Sequence, residues 1–194
     1  AVEHDTMDTT FRSMYLGLSA FLDANTERRE LLLGQRSPRF DSSFDGAIAQ
    51  AGDDFERVAL KAQAARDYFL LVGPPGTGKT SRALRRMVEH FYATSSMQIL
   101  LLAYTNRAVD EICQSLSSIT SGIDYIRVGS ELSCDVRFRG HLLENILAEC
   151  NSRREVNTRM TDCRVYVGTV ASIAAKAELF KLKRFDVAIV DEAT

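Results

Sequence analysis

The chain has 194 residues, 45% of them hydrophobic and 26% charged, with a formal net charge of −2. That length supports one globular domain with a sizeable core, and no apolar run approaches the roughly 18 residues a membrane span needs. So small a net charge gives no whole-molecule attraction for a polyanion, so nucleic-acid contacts must come from local clusters such as Arg82, Arg85 and Arg86 or Lys181, Lys183 and Arg184.

The first residues, A-V-E-H-D-T-M-D, carry neither an initiator Met nor a basic-then-apolar leader, and the last residue is Thr194; together these read as a piece of a longer chain. Residues 6–33 have helical spacing, with Met7, Phe11, Met14, Tyr15, Leu18, Phe21 and Leu22 on one face. A second short helix starts at Thr26 and ends by Gly34. Residues 35–53 are polar and turn-rich and read as a linker. Helical spacing resumes over 54–66. From 67 onward apolar runs alternate with amphipathic stretches: strands at 68–72, 98–104, 125–128, 164–168 and 185–190, and helices at 80–92, 107–118, 141–162 and 172–180. Continuously apolar strands separated by helices predict a parallel sheet covered on both faces. The domain boundary therefore falls near residue 53, with a helical N-terminal or stalk segment over 1–53 and an ATPase-type α/β unit over 54–194.

Cys113, Cys134, Cys150 and Cys163 lie without a C-x-x-C pair and read as reduced structural thiols, which suits a cytoplasmic protein. His4, His90 and His141 are scattered, and none is assigned as a ligand.

Two motifs carry chemistry. Gly73, Pro74, Pro75, Gly76, Thr77, Gly78, Lys79 and Thr80 spell G-x-x-x-x-G-K-[ST] between a predicted strand and a predicted helix, with Ser81 next in line. Glycines at 76 and 78 let the backbone curl so that successive N–H groups face phosphate oxygens, and the helix N-terminus adds positive potential. Lys79 brings an ammonium to the β- and γ-phosphates, and Thr80 offers a hydroxyl to Mg2+. The partner motif is Asp191-Glu192, at the end of V-A-I-V. A carboxylate there faces the crevice where ligands bind in open α/β sheets; Asp191 is assigned to Mg2+ and Glu192 to the water that attacks the γ-phosphate. Catalysis is thus assigned to Lys79 and Glu192, nucleotide binding to residues 73–81, and metal to Thr80 and Asp191. The substrate is ATP with Mg2+. The loop alone does not say what hydrolysis drives, because G-P-P-G-T-G-K-T occurs in ring-forming AAA+ ATPases as well as in helicases.

L-A-Y-T-N-R-A-V-D-E-I at 102–112, V-Y-V-G-T-V-A-S-I at 165–173 and F-D-V-A-I-V-D-E-A-T at 185–194 resemble motifs Ia, Ic and II of helicase superfamily 1. R-E-L-L-L-G-Q-R-S-P-R-F, before the linker, resembles the segment preceding the helicase core of the replication helicase/nuclease family. The 112-residue separation of Lys79 from Asp191 suits this resemblance better than a compact AAA+ module.

The resemblance implies a P-loop NTPase of RecA-like α/β fold, incomplete at its C-terminus and preceded by a helical segment. It implies a DNA helicase that couples ATP hydrolysis to translocation on single-stranded nucleic acid, more DNA than RNA. Thr105, Asn106 and Thr169 then touch the strand backbone, although helix capping explains the same residues. Tyr104 is placed to stack on a base or to enter the core.

The implied partners also include a second RecA-like domain. The family's motif III strand lies between the loop strand and the motif II strand, so a chain without it exposes sheet edges that invite strand exchange between copies. The rivals are a P-loop ATPase that remodels protein and a nucleotide-binding scaffold module. The family's adenine-reading glutamine is replaced in this chain: Phe55 and Glu56 stand near its place, and Gln63 lies closer to the loop.

Overall fold

The computed structural model describes residues 9–74, 76–176 and 178–193. Its centre is a four-stranded, all-parallel sheet of β1 (Ile99–Ala103), β2 (Tyr125–Val128), β3 (Val165–Thr169) and β4 (Val187–Val190) in the order β2-β3-β1-β4. Register aligns Ala103 with Thr169 and Leu102 with Val190, so three strands end on one rim. The continuous Val, Ile and Leu runs are explained by burial from both sides. Ile99, Leu101 and Ala103 face the larger core with α4 (Asp54–Ala64), α5 (Arg85–Thr94) and α6 (Asn106–Ser117). Leu100 faces a second cluster with α7 (Leu143–Ala148), α9 (Val170–Ala175) and α10 (Leu179–Leu182). The fold is the RecA-like α/β arrangement expected, with helices on both faces.

The strand expected at 68–72 does not form. These residues alternate between half-buried and exposed, as an extended segment would, but pair with no strand; Leu70 is 72% and Val72 91% exposed. β4 is an edge strand whose free side has no partner among the described residues, and 68–72 does not pair with that edge. Apolar alternation records what a segment could bury, whereas a strand also needs a neighbour offering free N–H and C=O groups.

The charged stretch at 141–162 is likewise not one helix. A 3-10 turn runs through Val136–His141, followed by α7 and α8 (Arg153–Asp162), with Ser152 capping α8 by accepting from Glu155 N at 3.2 Å.

The N-terminal residues form α1 (Thr9–Asp23) and α2 (Thr26–Leu32), divided where Asn25 caps α2 by accepting from Arg28 N at 2.8 Å. Met7 of the expected apolar face lies outside the described residues. Met14, Leu18 and Leu22 of that face are exposed. The segment read as a linker is partly folded, with a 3-10 turn at Ser42–Phe44 and α3 (Asp45–Ala49). It is joined to the body through Asp67, which accepts from Arg36 Nη1 at 2.9 Å, Arg39 Nη2 at 2.9 Å and Arg39 N at 2.8 Å. These donors hold the Asp67 carboxyl well below the usual carboxylate range.

Lys183 was read as part of a surface cluster but is only 8% exposed. Its ammonium donates to Met160 O at 3.1 Å, Thr161 O at 3.0 Å and Cys163 O at 2.6 Å, tying the end of α8 to the end of α10. Lys183→Met removes the ammonium from Thr161 O and Cys163 O, while Met160 O keeps the Tyr166 hydroxyl at 2.8 Å. It is expected to cost about 2–3 kcal/mol and lower the Tm by about 4–12 °C, read by thermal unfolding followed by circular dichroism.

Candidate nucleotide site and nucleic-acid rim

The loop leaves the extended 68–72 segment and turns through Gly76 (φ 80°) and Gly78 (φ 82°), a left-handed backbone that a side chain would strain. Gly78 is crowded as well, since a Cβ there would meet Arg82 Cδ at 3.0 Å. Pro75 lies outside the described residues. Thr77 Oγ1 donates to Pro74 O at 2.8 Å. The Lys79 ammonium donates to Gly73 O and, at 3.0 Å, to Pro74 O, arching back over the loop it follows. The helix expected at 80–92 opens as a π-helical turn, Lys79–Leu84, in which Arg82 N and Ala83 N both donate to Gly78 O at 2.9 Å, and continues as α5. Its first turn leaves N–H groups at Thr80 and Ser81 unclaimed by the helix, as every helix start does.

Thr80 Oγ1 donates to Asp191 Oδ2 at 2.6 Å, across 111 residues of sequence. This bond brings the two distant motifs onto one rim. Asp191 is fixed by its own backbone, which extends the β1–β4 ladder through Asp191 N to Leu102 O at 2.8 Å. Glu192 follows with φ 54°, the one left-handed non-glycine among the described residues, its N–H donating to Asp191 Oδ1 at 3.1 Å and its side chain exposed. Such a backbone costs about 1–3 kcal/mol and is found where a side chain must be aimed. A hydroxyl and a carboxylate, both hard oxygen donors, suit Mg2+.

Farther along the rim, Thr105 caps α6 by accepting from Ala108 N at 3.2 Å, and Asn106 is exposed beside it. Tyr104 is 77% exposed, so it does not belong to the core. Thr169 stands differently. It is 7% exposed, accepts from Ser172 N at 3.0 Å and donates to Ser172 Oγ at 2.9 Å, so its hydroxyl is spent on capping α9. Thr105, Asn106, Thr169 and Asp191 share one rim of the sheet, and of the three residues expected at the nucleic-acid strand Thr105 and Asn106 are exposed while Thr169 is buried.

Sequence reasoning missed two arrangements. Arg82 lies over the ring of Phe55, with its Cζ 4.7 Å from the ring centroid. Arg127 is buried on β2 and paired with Asp110 of α6, and it also donates to Ser133 O at 3.3 Å. The first has no sequence signal beyond an aromatic and an arginine far apart. The second was detectable as a charge inside an otherwise apolar strand. Burial pushes the Cys113 and Cys163 thiols up to about 11, which leaves them protonated and structural. None of the described helices is long and apolar enough to cross a membrane.

A family description, AAA_11 (AAA domain), matches residues 52–164. The chain is 31% identical, over 97% of its length, to the DNA replication ATP-dependent helicase/nuclease JHS1 of Arabidopsis thaliana. It is 28% identical, over 86%, to the DNA replication ATP-dependent helicase/nuclease DNA2 of Homo sapiens. It is also 28% identical, over 63%, to the uncharacterized ATP-dependent helicase MJ0104 of Methanocaldococcus jannaschii. The chain spans 14%, 16% and 19% of these three relatives respectively. With its P-loop facing an Asp-Glu pair across one rim of a parallel sheet, the chain belongs to the AAA_11 family of AAA domains and has the ATPase core of a superfamily 1 helicase.

Proposed function

We propose that the chain binds ATP with Mg2+ through residues 73–81 and that Glu192 drives its hydrolysis, powering movement along single-stranded DNA. The observation that carries this reading is the 2.6 Å bond from Thr80 to Asp191. It joins the two residues that would hold Mg2+, which when bound neutralises charge on the β- and γ-phosphate oxygens. Backbone N–H groups from Gly76 to Ser81 receive the phosphates, and Lys79 exchanges its bonds to Gly73 O and Pro74 O for phosphate oxygens. Glu192, aimed by its left-handed backbone, orients the attacking water. Thr105 and Asn106 take a strand phosphate at the start of α6, with Tyr104 offering a ring to a base; Thr169 contributes by holding its strand end in shape.

DNA is preferred over RNA because the relatives include proteins named for DNA replication. Residues 54–194 form the ATPase unit and residues 1–53 a helical stalk. The free edge of β4 takes a further strand, from a longer parent chain or by exchange between copies, and a second RecA-like domain is a separate partner. Buried protonated thiols suit the reducing cytoplasm. The relatives favour a helicase over a protein-remodelling ATPase or a scaffold.

A fluorescent ATP analogue titrated with and without Mg2+ tests the site. Asp191→Asn is expected to remove most of the Mg2+-dependent gain in affinity, about tenfold. Unchanged Mg2+ dependence would place the metal elsewhere.

A further inference from the structure

A serine stands between the two arginines that tie the N-terminal segment to Asp67. R-S-P-R runs from Arg36 to Arg39, and of the chain's three prolines only Pro38 follows a hydroxyl residue. Ser37 is exposed, and residues 37–39 form neither helix nor turn. Pro38 gives the reason, because it disfavours helical backbone at the residue before it. An exposed, extended serine followed by proline is the form of substrate that a proline-directed protein kinase accepts.

The neighbours of the hydroxyl decide what a phosphate there would do. In extended backbone, residues two apart share a side, so Ser37 and Arg39 point together. Arg36 Nη1 lies 3.2 Å from the carbonyl oxygen of Ser37 itself. Both arginines are already paired. Arg39 reaches Asp67 through Nε at 3.1 Å and Nη2 at 2.9 Å, and it reaches Glu27 of α2 through Nη1 at 3.0 Å. Arg36 reaches the same Asp67 at 2.9 Å. Two guanidiniums thus face two carboxylates. The Asp67 side chain is only 7% exposed, whereas that of Arg39 is 60% exposed. Arg39 is free to swing outward to a new anion, and Asp67 cannot follow it.

We propose that Ser37 is a phosphorylation site, and that its phosphate takes Arg39 from Asp67 and Glu27 and so opens the clasp on the N-terminal segment. In the modifying step the Ser37 hydroxyl attacks the γ-phosphorus of the kinase's ATP. An O–P bond forms at Ser37 Oγ as the bond to ADP breaks, and the hydroxyl proton passes to the kinase's catalytic carboxylate. The new group carries about −1.5 to −2 charge at pH 7 and three strong acceptors. Beside Asp67 and Glu27 it leaves the cluster with more negative than positive charge. The carboxylates are repelled while the most mobile guanidinium is drawn to the phosphate. Arg36 stays with Asp67.

Incubation of the chain with ATP and a kinase of the cyclin-dependent or mitogen-activated class, followed by mass spectrometry, tests the site. Phosphate at Ser37 that falls sharply in Pro38→Ala is expected; no incorporation at Ser37 with either kinase overturns the assignment. Ser37→phosphoserine, introduced during translation, gives a homogeneous chain for the consequence. Asp41 N and Arg66 N, bonded to Ala64 O at 2.8 Å and Arg39 O at 2.9 Å, should exchange hydrogen about tenfold faster there than in the parent. Unchanged or slower exchange means that the clasp stays closed, and overturns the proposal. Arg39→Gln separates capture of the guanidinium from a general effect of charge. It should exchange fast on its own and gain less than about twofold from phosphoserine at 37; a full tenfold gain overturns capture of Arg39.

Discussion

Glu192→Gln is expected to stop turnover while leaving Mg-ATP bound. The amide keeps the size and the left-handed backbone of Glu192 but cannot accept the water's proton, so the chemical step should slow by about 10²- to 10⁴-fold. Binding should hold, because the groups that receive phosphate and metal are Lys79, Thr80, Asp191 and the loop amides. Single-turnover phosphate release measures the first effect even on a slow enzyme, and equilibrium titration measures the second. Phosphate release at the parental rate in Glu192→Gln would move the base to another residue.

Lys79→Ala should instead abolish binding at working concentrations. The ammonium bonds main-chain carbonyls of the same loop. Moving it to phosphate oxygens replaces neutral acceptors with charged ones. A charge-assisted bond of this kind is worth about 2–3 kcal/mol, or about 30- to 160-fold in Kd. The substitution also removes the Gly73 and Pro74 bonds that shape the loop, so the measured loss should sit at the upper end. Titration of the fluorescent ATP analogue reads it directly, and a change under about threefold would remove Lys79 from the site.

The rim was legible in the sequence because each part has a local cause. Glycines at 76 and 78 had to be glycine for their left-handed backbone, and the apolar run before Asp191 had to be a buried strand ending where carboxylates meet ligands. The failures share the opposite property. Residues 68–72 have strand chemistry but lack a neighbour, and pairing is decided by parts of the fold that a local pattern does not contain. Lys183 read as a solvated cation because nothing local reveals that the end of α8 packs over it. Phe55 and Arg82 come together only because α4 folds against the helix that follows the loop. Thr169 kept both readings in sequence, and its hydroxyl bonds Ser172 at the start of α9.

The bond between Asp67 and the two N-terminal arginines also has a mechanical side. Asp67 lies six residues ahead of Gly73, on the extended segment that runs into the phosphate loop without any sheet partner to brace it. A pull on the N-terminal helices therefore meets Asp67 and the short antiparallel pairing beside it, in which Arg66 N donates to Arg39 O at 2.9 Å and Asp41 N to Ala64 O at 2.8 Å, before it reaches the loop along 68–72. Load on one end of the chain and occupancy at Lys79 should then be felt by each other, as tension on a string is felt at both knots.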